Sequence, residues 1–299
     1  MSSNSTRRCP SLPAMPMAEV VITGYASLDY PALLDGTVAG DSTTQIRFRD
    51  PGAWPRLGGS PAYAGAALAR CGHRATPISW VASDQAGDTY MRMTGEAGMA
   101  TDALARIDAP RSPVSLMLYQ ADGTSICLYD PGFAGREALT PVQRHRLTEA
   151  AHVCVTVGPG HLLAEILDLV GPDATLYWVA KNDPTCFTPA LCARLSARAS
   201  VIFCNQAERA LIAAGTRDDQ IVIETMGRRG YQVGVRGQSR IVAADPVSVS
   251  DPTGAGDTFA GAFIGAYLKD GDPHAAAQVA AAATRQMLEV RGRAERSLS

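Results

Sequence analysis

The stretch HVCVTVGPGHLLAEILDLVGPDATLYWVA (152–180) decides the fold, because its two ends and its middle follow different periods. HVCVTV (152–157) and TLYWVA (175–180) are short apolar runs rich in β-branched and aromatic side chains. Runs without a polar alternation read as strands buried on both faces. Between them, HLLAEILDLV (161–170) spaces its leucines helically, with Gly-Pro pairs punctuating the flanks. The rhythm continues through PALCARLSARA (189–199, helix), VIFCN (201–205, strand), AERALIAAG (207–215, helix) and QIVIETMG (220–227, strand). Buried strands alternating with short helices predict an α/β fold, a central mostly parallel sheet flanked by helices.

Toward the N-terminus the same alphabet recurs. EVVIT (19–23) is a strand ending at Gly24, SPAYAGAALARCG (60–72) a small-residue helix, TPISWVA (76–82) a strand, and the segment to Gly98 a helix. Two regions do not fit the sheet. Residues 30–57 are polar, with strand-like pieces such as TTQIRFR (43–49), and SPVSLMLYQADGTSICLYD (112–130) is a hairpin turning at Asp122-Gly123. Together they are expected to form a small β-sheet lid from segments 30–57 and 112–131. The expected organisation is one domain over 18–299 behind a disordered tail at 1–17. Near the other end, QSRIVAAD and VSVSD read as extended.

At 299 residues, 46% hydrophobic and 19% charged, the chain can bury one large core and is not disordered. A net charge of −2 without basic runs gives no footprint for nucleic acid. Lys181 and Lys269 are the only lysines. Seven cysteines without a CxxC pair read as reduced thiols in a cytoplasmic protein, and five histidines without an i,i+4 pair argue against a histidine metal centre. No apolar run is long enough to span a membrane. The opening MSSNSTRRCPSLPAMPM is too polar and too broken by proline for a signal peptide, and a start at Met15 or Met17 would serve equally.

DPTGAGDTFAGAF (251–263) carries the chemistry. A TGAG turn opens a helix over Thr258–Leu268, whose Phe259, Phe263 and Tyr267 form a core-facing stripe. Backbone N–H groups at 254–257 are then the unpaired donors of a helix start, where the macrodipole also favours an anion. Asp257 alone also reads, less well, as a helix-start acid worth under ~1 kcal/mol. A dinucleotide fingerprint is poorly matched, since the glycines fall at 254, 256 and 261 near the C-terminal end. A Walker loop is excluded because neither lysine follows a glycine.

The same stretch resembles the second signature of the ribokinase (PfkB) family of carbohydrate kinases. GYASLD (24–29), LGGSPAYAGAALARCG (57–72), SDQAGD (83–88), the Asn-x-x-Glu at Asn205 and Glu208, and TMGRRG (225–230) are similar to that family's further elements, in its order and spacing. The resemblance covers residues 19 to 294. It implies Asp257 as the base that deprotonates a substrate hydroxyl, with Gly254, Ala255 and Gly256 lining an anion hole. It implies Asp29, Gly58 and Gly59 as substrate contacts, Asn205, Thr225, Gly227 and Gly230 as nucleotide contacts, and Glu208 as organiser of Mg²⁺. Asp251 and Thr253 match positions that often bind K⁺, a site that residues 283–292 would complete.

Two positions depart from the family pattern. Tyr63 stands where the family carries a hydroxyl-binding asparagine, which leaves it as a substrate contact or as core. AKNDP (180–184) replaces an Asp-x-Asn-x-Arg pattern, and Lys181 is either a phosphate-facing cation or a surface lysine. The implied activity is ATP-dependent phosphorylation of an alcohol on a small sugar or sugar-like substrate, by a homodimer paired through the lid. The alternatives are a nucleoside kinase, with Tyr63 and Phe48 stacking on a base, and a catalytically silent ligand-binding regulator. A dinucleotide-dependent oxidoreductase is a further rival, and it predicts NAD binding.

Overall fold

The computed structural model describes residues 17–212, 217–245 and 247–297. The tail expected at 1–17 therefore lies almost wholly outside the described residues. Strand β1 (Glu19–Thr23) leads through Gly24 into β2 (Ser27–Leu34), then β3 (Ile46–Phe48) and β4 (Arg56–Gly58). Helix α1 (Ser60–Arg70), β5 (Arg74–Ala82), α2 (Gln85–Glu96) and β6 (Leu104–Ile107) follow, then the hairpin β7 (Val114–Tyr119) and β8 (Ser125–Asp130). The alternating region is α3 (Pro141–Glu149), β9 (His152–Val155), α4 (Gly160–Leu169), β10 (Thr175–Val179), α5 (Pro189–Arg198), β11 (Val201–Asn205) and β12 (Ile221–Thr225). A hairpin, β13 (Tyr231–Val235) and β14 (Gln238–Val242), precedes two long helices, α6 (Ala255–Asp270) and α7 (Pro273–Ser297).

The large sheet has nine strands in the order β14-β13-β12-β11-β10-β9-β1-β5-β6. Every neighbouring pair from β12 to β6 is parallel, and β12, β13 and β14 pair antiparallel. The chain runs outward from β1 to β5 and β6, then returns to β9 on the other side of β1. That reversal puts a switch point between β1 and β9, where ligands of open α/β sheets bind beyond the strands' carboxyl ends. Two apolar cores cover the two faces, one around Trp178, Phe187 and Leu163, the other around Leu68, Phe203 and Phe263. Phe263 is fully buried, edge-on to Phe203 at 5.3 Å and stacked on Tyr267 at 5.6 Å.

The smaller sheet joins β3, β2, β7 and β8, with β4 on β2. It begins at Ser27, earlier than the sequence pattern suggests, because β2 runs straight on from the Gly24 turn and pairs parallel to β7. Asp84 fastens this sheet to the large one. Its carboxylate accepts from the Gly87 N–H at the start of α2 (2.8 Å) and from the Ser112 N–H (2.9 Å) and hydroxyl (2.6 Å) just before β7.

Three local expectations need correction. Only a single 3₁₀ turn, Glu208–Leu211, occupies the helix expected at 207–215, and 213–216 lie outside the described residues. The Glu208 side chain folds back onto the Asn205 N–H, and Ile212 is already extended. VSVSD forms no strand, since β14 ends at Val242. Helix α6 starts at Ala255 instead of Thr258, which brings Asp257 inside its first turn. Among the described residues no helix is long and apolar enough to cross a membrane.

Candidate active site

A cleft of about 520 Å³ opens between the small sheet and the carboxyl ends of the central strands. Ser27, Asp29, Ser115, Tyr119 and Tyr129 face it from the small sheet, and Tyr63 from α1. Lys181, beyond the end of β10, and the turn 252–257 form its floor. Alternation along β2, β7 and β8 explains the small sheet's share, because every second residue of a strand points to the same face.

Asp257 is 4% exposed, and its Oδ2 lies 3.6 Å from Lys181 Nζ. Its Oδ1 is buried with no hydrogen-bond partner. A buried carboxylate oxygen left bare is costly unless a ligand completes it. Lys181 lines the cleft rather than the outer surface, and Asp257 holds its ammonium above the ordinary lysine value against the opposing effect of burial. Glu208 adds to the same field, and its own carboxyl is pushed up chiefly by burial. Asn205 and Glu208 close on each other, the Asn205 N–H donating to Glu208 Oε2 (2.8 Å) and the Glu208 N–H to Asn205 Oδ1 (2.9 Å).

Gly254, Ala255 and Gly256 all line the cleft. Gly254 has φ +75°, and a Cβ there would lie 2.5 Å from the Tyr63 ring, so only glycine suits both the turn and the packing. Gly256 faces open space, with no atom within 4 Å of a built Cβ. The Ala255 N–H donates to the Pro252 carbonyl at 3.1 Å, which engages it within the turn itself.

Asp29, on β2, is also 4% exposed. The Tyr63 hydroxyl donates to its Oδ2 at 2.7 Å and the Ser27 hydroxyl to its Oδ1 at 3.3 Å. Burial pushes the Asp29 carboxyl up, and the Tyr63 hydrogen bond and the Arg56 charge pull against it. Gly58 sits directly across from this carboxylate, where a Cβ would fall 2.2 Å from Asp29 Oδ1. The glycine pair thus divides: Gly58 makes room for Asp29, and only Gly59 lines the cleft.

Tyr63 is neither core nor a base-stacking surface with Phe48. Its hydroxyl is fixed on Asp29, its ring leans on Gly254, and Arg56 and Arg291 lie over the ring at 5.7 and 5.8 Å. Phe48 lines a separate cavity of about 540 Å³ behind Arg56 and Arg291. Replacing Tyr63 with Phe removes one of the donors to a buried carboxylate, and is expected to destabilise the fold by about 1–3 kcal/mol in denaturant unfolding.

Thr225, Gly227 and Gly230 stand at the end of β12, beside the end of β11, where Asn205 and Thr225 are register partners. They share the strand-end edge with Asn205 but do not line the cleft that holds Asp29 and Asp257. Gly227 and Gly230 shape the turn there, closed by the Met226 N–H donating to the Gly230 carbonyl at 2.8 Å.

Asp251 and Thr253 do come together, but not as an open cation site. Arg291 Nη1, from α7, donates to the Asp251 carbonyl at 3.2 Å and the Thr253 carbonyl at 2.6 Å. Arg56 Nη1 pairs with Asp251 Oδ2 at 2.5 Å, and the Tyr119 hydroxyl donates to Asp251 Oδ1. Burial alone would raise the Asp251 carboxyl, yet Arg56 and Arg291 hold it below the ordinary value of 3.8. The oxygens expected to ligate K⁺ already carry guanidinium nitrogens, so these residues do not fit that ion.

Arg56, Arg291, Tyr119, Tyr25 and Tyr129 were not singled out in the sequence. Tyr119 and Tyr129 were within reach, since hairpin alternation puts them on the Ser115 face. Arg291 lies in the segment 283–292 expected to meet Asp251 and Thr253, but nothing in the sequence singled out its guanidinium as the group that reaches their carbonyls.

A bare carboxylate beside a glycine turn, at the carboxyl end of a parallel sheet and under a small second sheet, suits phosphoryl transfer to an alcohol. The chain belongs to the pfkB family of carbohydrate kinases, which it matches over residues 17–298, and is an ATP-dependent carbohydrate kinase. Among curated proteins it is similar to an ATP-dependent ribose-1-phosphate kinase of Halopiger xanaduensis, 27% identical over 88% of this chain and 90% of that one. It is similar also to a nucleoside kinase of Methanothermobacter thermautotrophicus, 23% identical over 92% and 90%. In fold it matches Arabidopsis thaliana ribokinase complexed with ribose and ATP, with a TM-score of 0.75 and 17% identity over 95% of this chain and 99% of that one.

Proposed function

We propose that this kinase transfers the γ-phosphoryl group of ATP to a hydroxyl of a small, hydroxyl-rich sugar or sugar derivative, with Asp257 as base. The observation that carries this reading is Asp257 Oδ1, buried and unpartnered in the first turn of α6 while Oδ2 faces Lys181. The acceptor oxygen gives its proton to Oδ1 as it bonds to the γ-phosphorus, and the bond to the β,γ-bridging oxygen breaks with its electron pair leaving on ADP. An alcohol is too weak an acid to attack without that help. Lys181 and the N-terminal end of α6 around Gly256 neutralise the phosphoryl oxygens, the main requirement of phosphoryl transfer.

Asp29 holds the acceptor, with Ser27, Ser115 and Ser125 adding hydroxyl partners on the same side of the cleft. Asn205, Thr225, Gly227 and Gly230 form the nucleotide edge, at the strand ends beside Glu208. The hard carboxylate of Glu208 would orient Mg²⁺ carried by the nucleotide phosphates. Among the described residues no cluster of three metal-binding side chains exists, which suits an ion held mostly by phosphate and water. The small sheet acts as a lid. Its outer face carries Leu116 and Leu128, register partners 41% and 53% exposed, an apolar patch that a second copy would cover in a homodimer. The chain acts in the cytoplasm, in keeping with six free cysteines among the described residues.

A nucleoside acceptor is favoured by one feature alone. Tyr25 and Tyr129, 6.5 Å apart, form an aromatic wall of the cleft that a base could meet. A thermal-shift panel separates the readings. Sugars or sugar phosphates raising the unfolding temperature above the nucleosides support a hydroxyl-rich acceptor, and the reverse order selects the nucleoside.

A further inference from the structure

The segment Asp251–Gly254 ties the anion-binding turn to the rest of the molecule, and its charge balance is unusual. One carboxylate, Asp251, faces two guanidinium groups, Arg56 at 2.5 Å and Arg291 at 3.6 Å from its two oxygens. All three side chains are sheltered, at 9%, 14% and 16% exposed. Arg291 Nη1 also occupies the position in front of both main-chain carbonyls, Asp251 and Thr253. Two guanidinium groups meet one carboxylate at Asp251, and Arg56 acts also on the Asp29 carboxyl, so the positive charge lies closest to the 251–253 main chain, behind the start of α6. There it adds to the helix macrodipole in attracting phosphate.

The same two arginines lie over the face of the Tyr63 ring. That ring packs on Gly254, and its hydroxyl holds Asp29. The pair therefore braces the turn from behind and the acceptor carboxylate through one side chain. Arginine suits this place because its guanidinium stays charged when buried and stacks on an aromatic face.

We propose that the Arg291 guanidinium, seconded by Arg56, is the resident cation of the phosphate-binding turn, so that this enzyme works without any monovalent metal ion. Both arginines are positioning residues that act through the 251–254 main chain and Tyr63. The proposal rests on the kinase reading above, and the tests keep the two apart.

The first test compares the wild-type protein in KCl, NaCl and tetramethylammonium chloride at equal ionic strength. The expected result is an ATP-turnover rate within about twofold across the three salts and an unfolding temperature that does not respond to K⁺. A K⁺-specific activation of tenfold or more, or a K⁺-specific rise in unfolding temperature over tetramethylammonium, overturns the proposal. The unfolding measurement involves no acceptor, so its result stands even if no alcohol tested is phosphorylated, an outcome that would count against the kinase reading alone.

The second test uses Arg291→Ala in tetramethylammonium chloride. Its kcat is expected to fall about tenfold or more with the acceptor KM changed far less, and to recover when guanidinium is added well below unfolding concentrations. An Arg291→Ala protein that folds and turns over at the wild-type rate without any added cation contradicts the assignment. If the variant does not fold, the salt comparison on the wild type still decides.

Discussion

Asp257→Asn is expected to lower kcat by about 10²–10⁴-fold, the range for loss of a positioned general base. Unfolding temperature and acceptor binding should change little. Asparagine keeps the shape of the side chain and leaves the first turn of α6 intact. It removes the oxygen that accepts the proton, and it also removes the charge 3.6 Å from Lys181 Nζ. The Lys181 ammonium, now held above its ordinary value chiefly by Asp257, should accordingly titrate lower in the variant. Steady-state kinetics beside calorimetric acceptor binding separate the two effects. Turnover near the wild-type rate would remove Asp257 from the chemistry.

Asp29→Ala should act on the other substrate. A buried carboxylate accepting one or two hydroxyl hydrogen bonds contributes about 1.5–3 kcal/mol, which corresponds to a rise in acceptor KM of about 10–10²-fold. The KM for ATP should stay within about twofold, because the proposed nucleotide edge at Asn205 and Thr225 is built from other strands. Equal effects on both constants would show that Asp29 supports the fold instead. Stability offers an independent check. Burial raises the Asp29 carboxyl, so its ionised form costs the folded state free energy as pH rises from its ordinary value of 3.8 through the raised one. Asp29→Asn removes that cost while keeping an acceptor for the Tyr63 hydroxyl, and should leave the unfolding temperature at neutral pH equal to or above wild type.

Much of this architecture could be read in the residues because its signals are local. The buried runs at 152–157, 175–180 and 201–205, alternating with short helices, point to a parallel sheet, and the Asp122-Gly123 turn fixes the hairpin. The site could be read where one segment carries both loop and side chain, as in the Gly254–Asp257 turn and at Asn205 and Glu208. What stayed hidden depends on contacts between distant segments. Tyr63 could not be assigned until Asp29, Gly254, Arg56 and Arg291 were seen around one ring. At the expected potassium positions the segment 283–292 was placed correctly beside Asp251 and Thr253, but which of its side chains reaches their carbonyls depends on the packing of α7. The shortened turn at 208–211 shows a local rule overridden, a side chain capping its own strand end instead of starting a helix.

Glycine conservation of space is likewise specific to position. Gly58 and Gly254 both exclude a side chain, the first for Asp29 and the second for Tyr63, so the two signatures of the sequence meet in one contact network. That network joins Asp29 to the Gly254 turn through the Tyr63 ring.

Transfer of a phosphoryl group from ATP to an alcohol, with Asp257 as base, can be followed directly at phosphorus. The most direct measurement is ³¹P NMR of wild type and Asp257→Asn with Mg-ATP and the acceptor that most raises the unfolding temperature. The account predicts a new phosphate-ester resonance growing in step with ADP for the wild type, and neither signal above background for the variant. An ester formed at comparable rates by both proteins, or ATP lost without any ester from the wild type, would contradict it.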